Sequence, residues 1–204
     1  PAVAVGWVAS EESFLRNSEV LTWLKVRASV GQVGNDQIPS TRFIYLATIN
    51  NGASGYGNIG VNFDQGAGGI GEGRMSNEDV TWEVSTKYNL GIETGFFNEL
   101  KVNADIFFER RENIFLAPQF SEISGLPKDY TNYANMGLME NRGFEISAEY
   151  VKRFNKDLTV SVRGNFTFAR NEVIDDGKYY AYPWQDQRGV RYGLTLGYRA
   201  MHLF

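Results

Sequence analysis

Few residues in this chain are equipped for covalent or metal chemistry. Cysteine is absent and His202 is the one histidine among 204 residues. A thiolate metal site, a histidine-based zinc site or a catalytic triad therefore has almost nothing to draw on. Two carboxylates, Asp105 and Glu109, share a strand-like face with Lys101 and Arg111. Paired carboxylates serve as acid and base in glycosidases. Four residues along a strand, however, separate these two by ~13 Å, so charges in contact along a wall fit the spacing better. Asp175-Asp176-Gly177 with Asp186 invites a calcium reading, but the alternating acids and distant glutamate of a calcium loop are missing; a polar turn fits better. Gly66, Gly68 and Gly71 spell the glycine pattern of a dinucleotide fingerprint. That pattern works only between a buried strand and a helix, and the residues on either side predict neither. The stretch reads instead as a glycine-rich loop with backbone freedom. Tyr179, Tyr180, Tyr182 and Trp184 crowd one polar segment. Aromatic faces of this kind can stack on sugar rings or pack against a partner or a neighbouring loop, and the sequence leaves both open.

The elements that must carry these residues are strands. The chain is 43% hydrophobic and 22% charged with a net charge of −4, which suits an ordered protein and gives no basic excess to track nucleic acid. Its 22 glycines and 14% aromatics fit short turns joining aromatic strands. No segment approaches the ~18 consecutive apolar residues of a membrane helix. That absence carries no weight for a β-barrel, whose strands are short and half apolar.

Residues 100–111 place Val102, Ala104, Ile106 and Phe108 on one face, and Lys101, Asn103, Asp105, Glu109 and Arg111 on the other, with Phe107 the exception. Residues 158–168 repeat the pattern, with Val160, Val162, Phe166 and Phe168 opposite Ser161, Arg163 and Asn165. A period of two predicts strands. The same period predicts strands over 2–9, 24–30, 82–96 and 144–150, and one more over 192–198. Residues 11–21 could hold a short helix capped by Ser10, with Phe14, Leu15 and Val20 as a weak apolar face.

The links alternate in length. Tight turns are expected around Asn98-Glu99 and Asn155-Lys156-Asp157, and long links over about 34–80 and 113–141, with 173–190 a further polar loop. Compact soluble domains rarely carry repeated long loops; an outer-membrane barrel does so, with short periplasmic turns and long external loops. The expected strands over 82–96 and 100–115 are long for a globular sheet and suit a barrel crossing of ~9–11 residues. Trp23, Phe96, Phe97 and Phe154 gather near the short turns, where an interfacial aromatic girdle would lie.

Seven segments, in order, resemble one family. Leu24-Lys25-Val26-Arg27-Ala28-Ser29-Val30-Gly31-Gln32-Val33-Gly34-Asn35 is similar to a strand that rises to an external loop in SusC/RagA-type TonB-dependent outer-membrane transporters of Bacteroidetes. Before it come Pro1 to Trp7 and Ser10-Glu11-Glu12-Ser13-Phe14. After it come Asn77-Glu78-Asp79-Val80-Thr81-Trp82-Glu83, Asn89-Leu90-Gly91-Ile92-Glu93, Asn135-Met136-Gly137 with Asn141-Arg142-Gly143-Phe144-Glu145, Phe166 to Val173, and Gly197-Tyr198-Arg199-Ala200.

The resemblance implies an all-β, antiparallel up-and-down transmembrane barrel, of which residues 1–204 supply about six or seven strands, a middle part with no plug domain. Such transporters close about 22 strands around a plugged lumen. It further implies TonB-driven import of an oligosaccharide or peptide through the outer membrane, with a SusD-like lipoprotein at the external face, a TonB complex acting through the plug, outer-membrane lipid around the wall, no nucleic acid, no cofactor and no enzymatic activity. On this reading Glu83, Lys87, Glu93, Lys101, Asn103, Asp105, Glu109, Arg163 and Asn165 line the lumen, and Val102, Ile106, Val160 and Val162 meet lipid. The loop aromatics Tyr179, Tyr180, Tyr182 and Trp184 touch substrate or the partner. The alternative class is a soluble β-sandwich or adhesin-type binding domain, in which the apolar face would be buried in protein.

Overall fold

A computed structural model describes residues 1–37, 43–53, 57–62, 65–66, 68–117, 133–194 and 197. The expected histidine, His202, most of the long link 113–141 and part of the strand expected at 192–198 lie outside these residues.

Period-two segments become six long antiparallel strands. They are β1 (Ala2–Val8), β2 (Leu21–Asn35), β7 (Glu83–Phe96), β8 (Leu100–Leu116), β9 (Ala134–Arg153) and β10 (Thr159–Asp175). They lie side by side in the order β1-β2-β7-β8-β9-β10, each paired antiparallel with the next. This is an up-and-down meander, and the sheet is open because β1 and β10 do not pair. Four short strands, β3 (Ile49–Ala53), β4 (Asn58–Ile59), β5 (Gln65–Gly66) and β6 (Gly69–Glu72), lie in the long link between β2 and β7. They form two small ladders, β3 with β6 and β4 with β5.

The glycine-rich stretch is thus partly strand, not a free loop, and no helix follows it. Its use of glycine is close approach: a Cβ on the adjoining Gly73 would lie 2.8 Å from the Thr48 carbonyl oxygen, whose residue exchanges two hydrogen bonds with Gly73 and Arg74.

The turns follow from local chemistry. Phe97 and Asn98 both have positive φ, 53° and 57°, the pattern of a primed hairpin turn whose twist matches that of the flanking strands. Asn155 closes the other hairpin as an Asx turn: its Oδ1 accepts from the amides of Asp157 (3.0 Å) and Leu158 (2.7 Å). Both turns lie at one end of the sheet, and the long links leave from the other. Residues 9–20 also sit at the turn end, where Phe97 donates its amide to the Val20 carbonyl.

The helix expected over 11–21 does not form. A 3-10 turn spans Ala9–Glu11, Ser10 caps nothing, and the amides of Leu15 and Arg16 both reach the Glu12 carbonyl. Phe14 and Val20 remain exposed, so the weak apolar face has nothing to pack on, and a helix this short is marginal without such packing. Strand ends also differ from expectation. Strands β8 and β9 run to Leu116 and from Ala134, which shortens the link between them. Tyr192 and Gly193 form a turn rather than the start of a strand.

Cross-strand register turns the alternation into two continuous faces. On one, Val5, Ala28, Leu90, Ile106, Phe144 and Phe168 form a single row, flanked by the row of Trp7, Val26, Ile92, Ala104, Ile146 and Phe166. Val102, Ile106, Val160 and Val162 all lie on this face. None of the described residues covers it: Leu90 is 53% exposed, Ile106 62% and Val162 62%. Among the described residues the buried apolar side chains are only Ala9, Ile44 and Val173. A β-sandwich would bury such a face against a second sheet ~10 Å away; within the described residues there is none.

Candidate functional site: a charged wall and a clamped loop

The opposite face is polar, and register again decides what meets what. All nine expected residues, Glu83, Lys87, Glu93, Lys101, Asn103, Asp105, Glu109, Arg163 and Asn165, lie on it together. The structure adds partners that period counting within single strands does not reveal. Arg27 of β2 reaches across β7 to Asp105 of β8, with Nη2 to Oδ2 at 2.7 Å. The residue between them in the row is Gly91, and its lack of a side chain is what allows the pair. A Cβ there would collide with Asp105 Oδ1 and lie 2.7 Å from Arg27 Nε. Both atoms are hidden over the glycine without a hydrogen-bond partner. Arg27 also lies 3.4 Å from Glu93, and Lys25 is 3.9 Å from the same carboxylate.

A second cluster stands nearer the loop end. Arg111 bridges Glu83 and Glu109, each at 3.2 Å. Glu109 accepts from Ser85 Oγ at 2.7 Å, with Lys87 at 3.9 Å. Arg163 pairs with Glu149 at 2.6 Å. Asp105 and Glu109 are therefore each neutralised by their own cations and do not face one another as an acid and a base.

Phe107, the apolar exception on this face, is explained by its neighbour. It shares a row with Gly143, and its Cζ lies 2.6 Å from where a Gly143 Cβ would stand. The tip of the ring occupies space that a side chain at Gly143 would need, and the Phe168 carbonyl oxygen closes the same space from the next strand. Trp23, expected in a girdle beside the short turns, keeps the alternation of Lys25 and Arg27 and pairs with Gly95 in the row of Lys101, on the charged face; the bulge between Leu21 and Trp23 lies before it. Aromatics border the apolar face elsewhere, with Tyr88 and Phe108 at one edge and Phe96 and Tyr150 at the other.

The loop after β10 is held by its own contacts. Val173 donates to the Val190 carbonyl at 3.0 Å and accepts from the Gly189 amide at 2.7 Å, which folds residues 176–190 back onto the strand end. The four aromatics divide. Tyr182 and Trp184 stack, centroids 4.6 Å apart and planes 9° from parallel, on either side of the Pro183 that opens a 3-10 turn. Both are exposed, and so is Tyr179. Tyr180 turns inward, donates its hydroxyl to Asp176 and lies under the Arg188 guanidinium, 5.9 Å from its ring centre. Asp186 takes a forked grip on Arg188, the shortest contact 2.6 Å. Of the acids with a calcium-like sequence, Asp176 is engaged with Tyr180, Asp186 with Arg188 and Asp175 with the Gly177 amide, and no acidic cluster suited to a metal exists among the described residues. Burial, then the Asp176 carboxylate, pushes the Tyr180 phenol up to about 12, while the hydrogen bonds from Arg188 hold Asp186 below the usual carboxylate range.

A sheet with one uncovered apolar face, one ion-paired face, tight turns at one end and long links at the other defines a stretch of transmembrane-type barrel wall. The family model described as "TonB dependent receptor-like, beta-barrel" matches residues 1–201, and the chain belongs to that family. Its relatives include TonB-dependent receptor P3 of Formosa agariphila, 29% identical over 85% of this chain and 16% of the relative. TonB-dependent receptor SusC of Bacteroides thetaiotaomicron is 28% identical over 88% of this chain and 18% of the relative. Among solved structures, the RagAB peptide importer in its closed-closed state superposes with a TM-score of 0.66, at 23% identity, over 93% of this chain and 20% of that one. The RagAB peptide transporter superposes at 0.61 with 25% identity, covering 84% and 18%. The chain spans less than a fifth of the length of these curated relatives.

Two outcomes test the geometry in a full-length receptor. Gly91→Ala should destabilise the barrel by about 1–3 kcal/mol through overpacking. Gly6→Ala, in the same row with only ordinary contacts at 3.5 Å and beyond, should be neutral or stabilising by about 0.5–1 kcal/mol. Urea midpoints of the two variants measure the contrast. For Tyr180, the folded pKa lies above the usual value near 10, so the stability this phenol contributes to the loop is intact below pH 10 and is lost as pH rises towards 12. The ultraviolet difference titration between wild type and Tyr180→Phe should show phenolate appearing near pH 12, not near 10.

Proposed function

We propose that residues 1–204 form part of the outer-membrane barrel wall of a TonB-dependent importer that takes up oligosaccharides or peptides together with a SusD-like surface lipoprotein. The observation that carries this reading is the pairing of an uncovered apolar face with a charged, internally neutralised one on the same sheet. Hydrocarbon suits the first, and a hydrated lumen or plug suits the second, because charge is far less costly there.

The dimensions agree. The apolar rows run from Tyr88 to Phe96 on β7. Eight residues rise ~27 Å along the strand, which at a tilt of ~40° is about 20 Å of height between Cα rows, close to the ~25 Å apolar band of such barrels once side chains are added. Above the band the same face turns charged, where Arg110 pairs with Glu112 and Glu140. Below it, Lys152 pairs with Glu99. In this reading the tight turns are periplasmic, the long links external, and the nine polar residues line the lumen. The similarity to a solved peptide importer favours a peptide, whereas the exposed Tyr182–Trp184 stack also suits a sugar ring. The external position of that loop is what makes substrate or the lipoprotein its partner.

An arginine placed at Ile106 in the full-length receptor should cost about 2–4 kcal/mol of folding stability, and the same change at Asn103 far less. Equal losses in reversible unfolding from lipid would remove the lipid-and-lumen assignment. Replacing Tyr179, Tyr180, Tyr182 and Trp184 by Ala should weaken substrate capture while barrel assembly, read by heat-modifiable gel mobility, stays intact. Unchanged uptake and lipoprotein binding would reduce the cluster to loop packing.

A further inference from the structure

The uncovered apolar face is not uniform. Between β1 and β8 it dips into an open hollow of about 490 Å³. Val5, Val30, Leu90, Ile106 and Phe108 line it together with Ala28, the smallest side chain in the row of Val5, Leu90 and Ile106. The hollow lies in the loop-side half of the apolar band. Along its upper edge the row of Val30, Tyr88 and Phe108 continues directly into Arg142 on β9 and Arg170 on β10. Neighbouring strands are ~4.8 Å apart, so these arginines stand one and two strands beyond the hollow's wall, within side-chain reach of a head group above it.

Two exposed guanidinium groups in the outermost row of an apolar face are unfavourable against hydrocarbon and favourable against phosphate, which matches their planar fork of donors. Arg142 is only loosely engaged by Glu172, at 3.5 Å. Tyr88 on the same rim has the mixed character suited to the head-group layer.

We propose that this hollow and its arginine rim bind one molecule of a phosphorylated glycolipid of the lipid A type in the outer leaflet. An acyl chain lies over Ala28, and a phosphate meets Arg142 and Arg170. Charge complementarity selects the occupant: the carbon-lined hollow and the cationic rim are contiguous, and this lipid carries acyl chain and phosphate in one molecule at the external leaflet. The inference rests on the apolar face meeting lipid and on the long links being external.

The test uses the full-length receptor, delipidated and reconstituted in phosphatidylcholine nanodiscs with either lipid A or phosphatidylglycerol, with bound lipid counted by native mass spectrometry. Wild type should retain lipid A selectively. Ala28→Phe, which fills the hollow from the outside, and the double variant Arg142→Ala, Arg170→Ala should each lower that retention by about tenfold or more, as expected for lost charge-assisted hydrogen bonds or an occupied groove. Retention at the wild-type level in both variants overturns the proposal. So does equal retention of phosphatidylglycerol that is lost in the same variants, since the occupant is then not the glycolipid. A spin label on Ile106→Cys separates this from failure of the underlying reading. Access to oxygen but not to a water-soluble nickel chelate keeps the face in lipid, so that only the glycolipid site falls. Access to the chelate removes both.

Discussion

Everything in this molecule depends on the register of five antiparallel ladders. Side chains on a strand alternate strictly, so slipping one pairing by a single residue would carry a whole apolar row to the charged face. The ladders also satisfy the backbone amides and carbonyls, which in hydrocarbon have no other partner. Irregularities are confined to the ends: the bulges fall at Leu21/Trp23, between Arg111 and Phe115, and at Val173/Asp175. Between them the rows run unbroken from β2 to β9. Where a hydroxyl does fall among the apolar rows, it is spent locally, as Thr94 donates to the Val102 carbonyl at 3.1 Å.

The charged face follows from the same register, with glycine setting which side chains can meet. Gly91 lets Arg27 and Asp105 bond over the top of an intervening strand, and Gly143 receives the Phe107 ring. Partly exposed ion pairs contribute little to stability, about 0–1 kcal/mol each. Their more important effect is to hold long side chains flat and neutral in sum, which leaves a polar wall without a strong field of either sign.

The loop after β10 shows a different economy. It has few apolar neighbours, so polar contacts fold it: the Val173 clamp, the Asx-type turns at Asp175 and Asp186, and the inward Tyr180 held by Asp176. That inward turn leaves Tyr182 and Trp184 stacked and outward.

The residues by themselves determined the six long strands, the two face chemistries and both hairpin turns, because alternation and Asn-containing turns are local properties of the chain; the short strands β3 to β6 were not legible in the glycine-rich link. Ordered segments such as 24–35 and 141–145 carried the family. What only the tertiary structure decided is non-local. The register brought Arg27 to Asp105 through Gly91 and aligned Arg142 and Arg170 with Phe108. The absence of a packing partner kept residues 11–21 from forming a helix, and hydrogen bonds drew four apparently equivalent aromatics into different roles. A period of two says which residues share a face within one strand. Which strand lies beside which, and at what offset, depends on pairings between residues up to 78 positions apart, as in Arg27 and Asp105, and no local pattern encodes that offset.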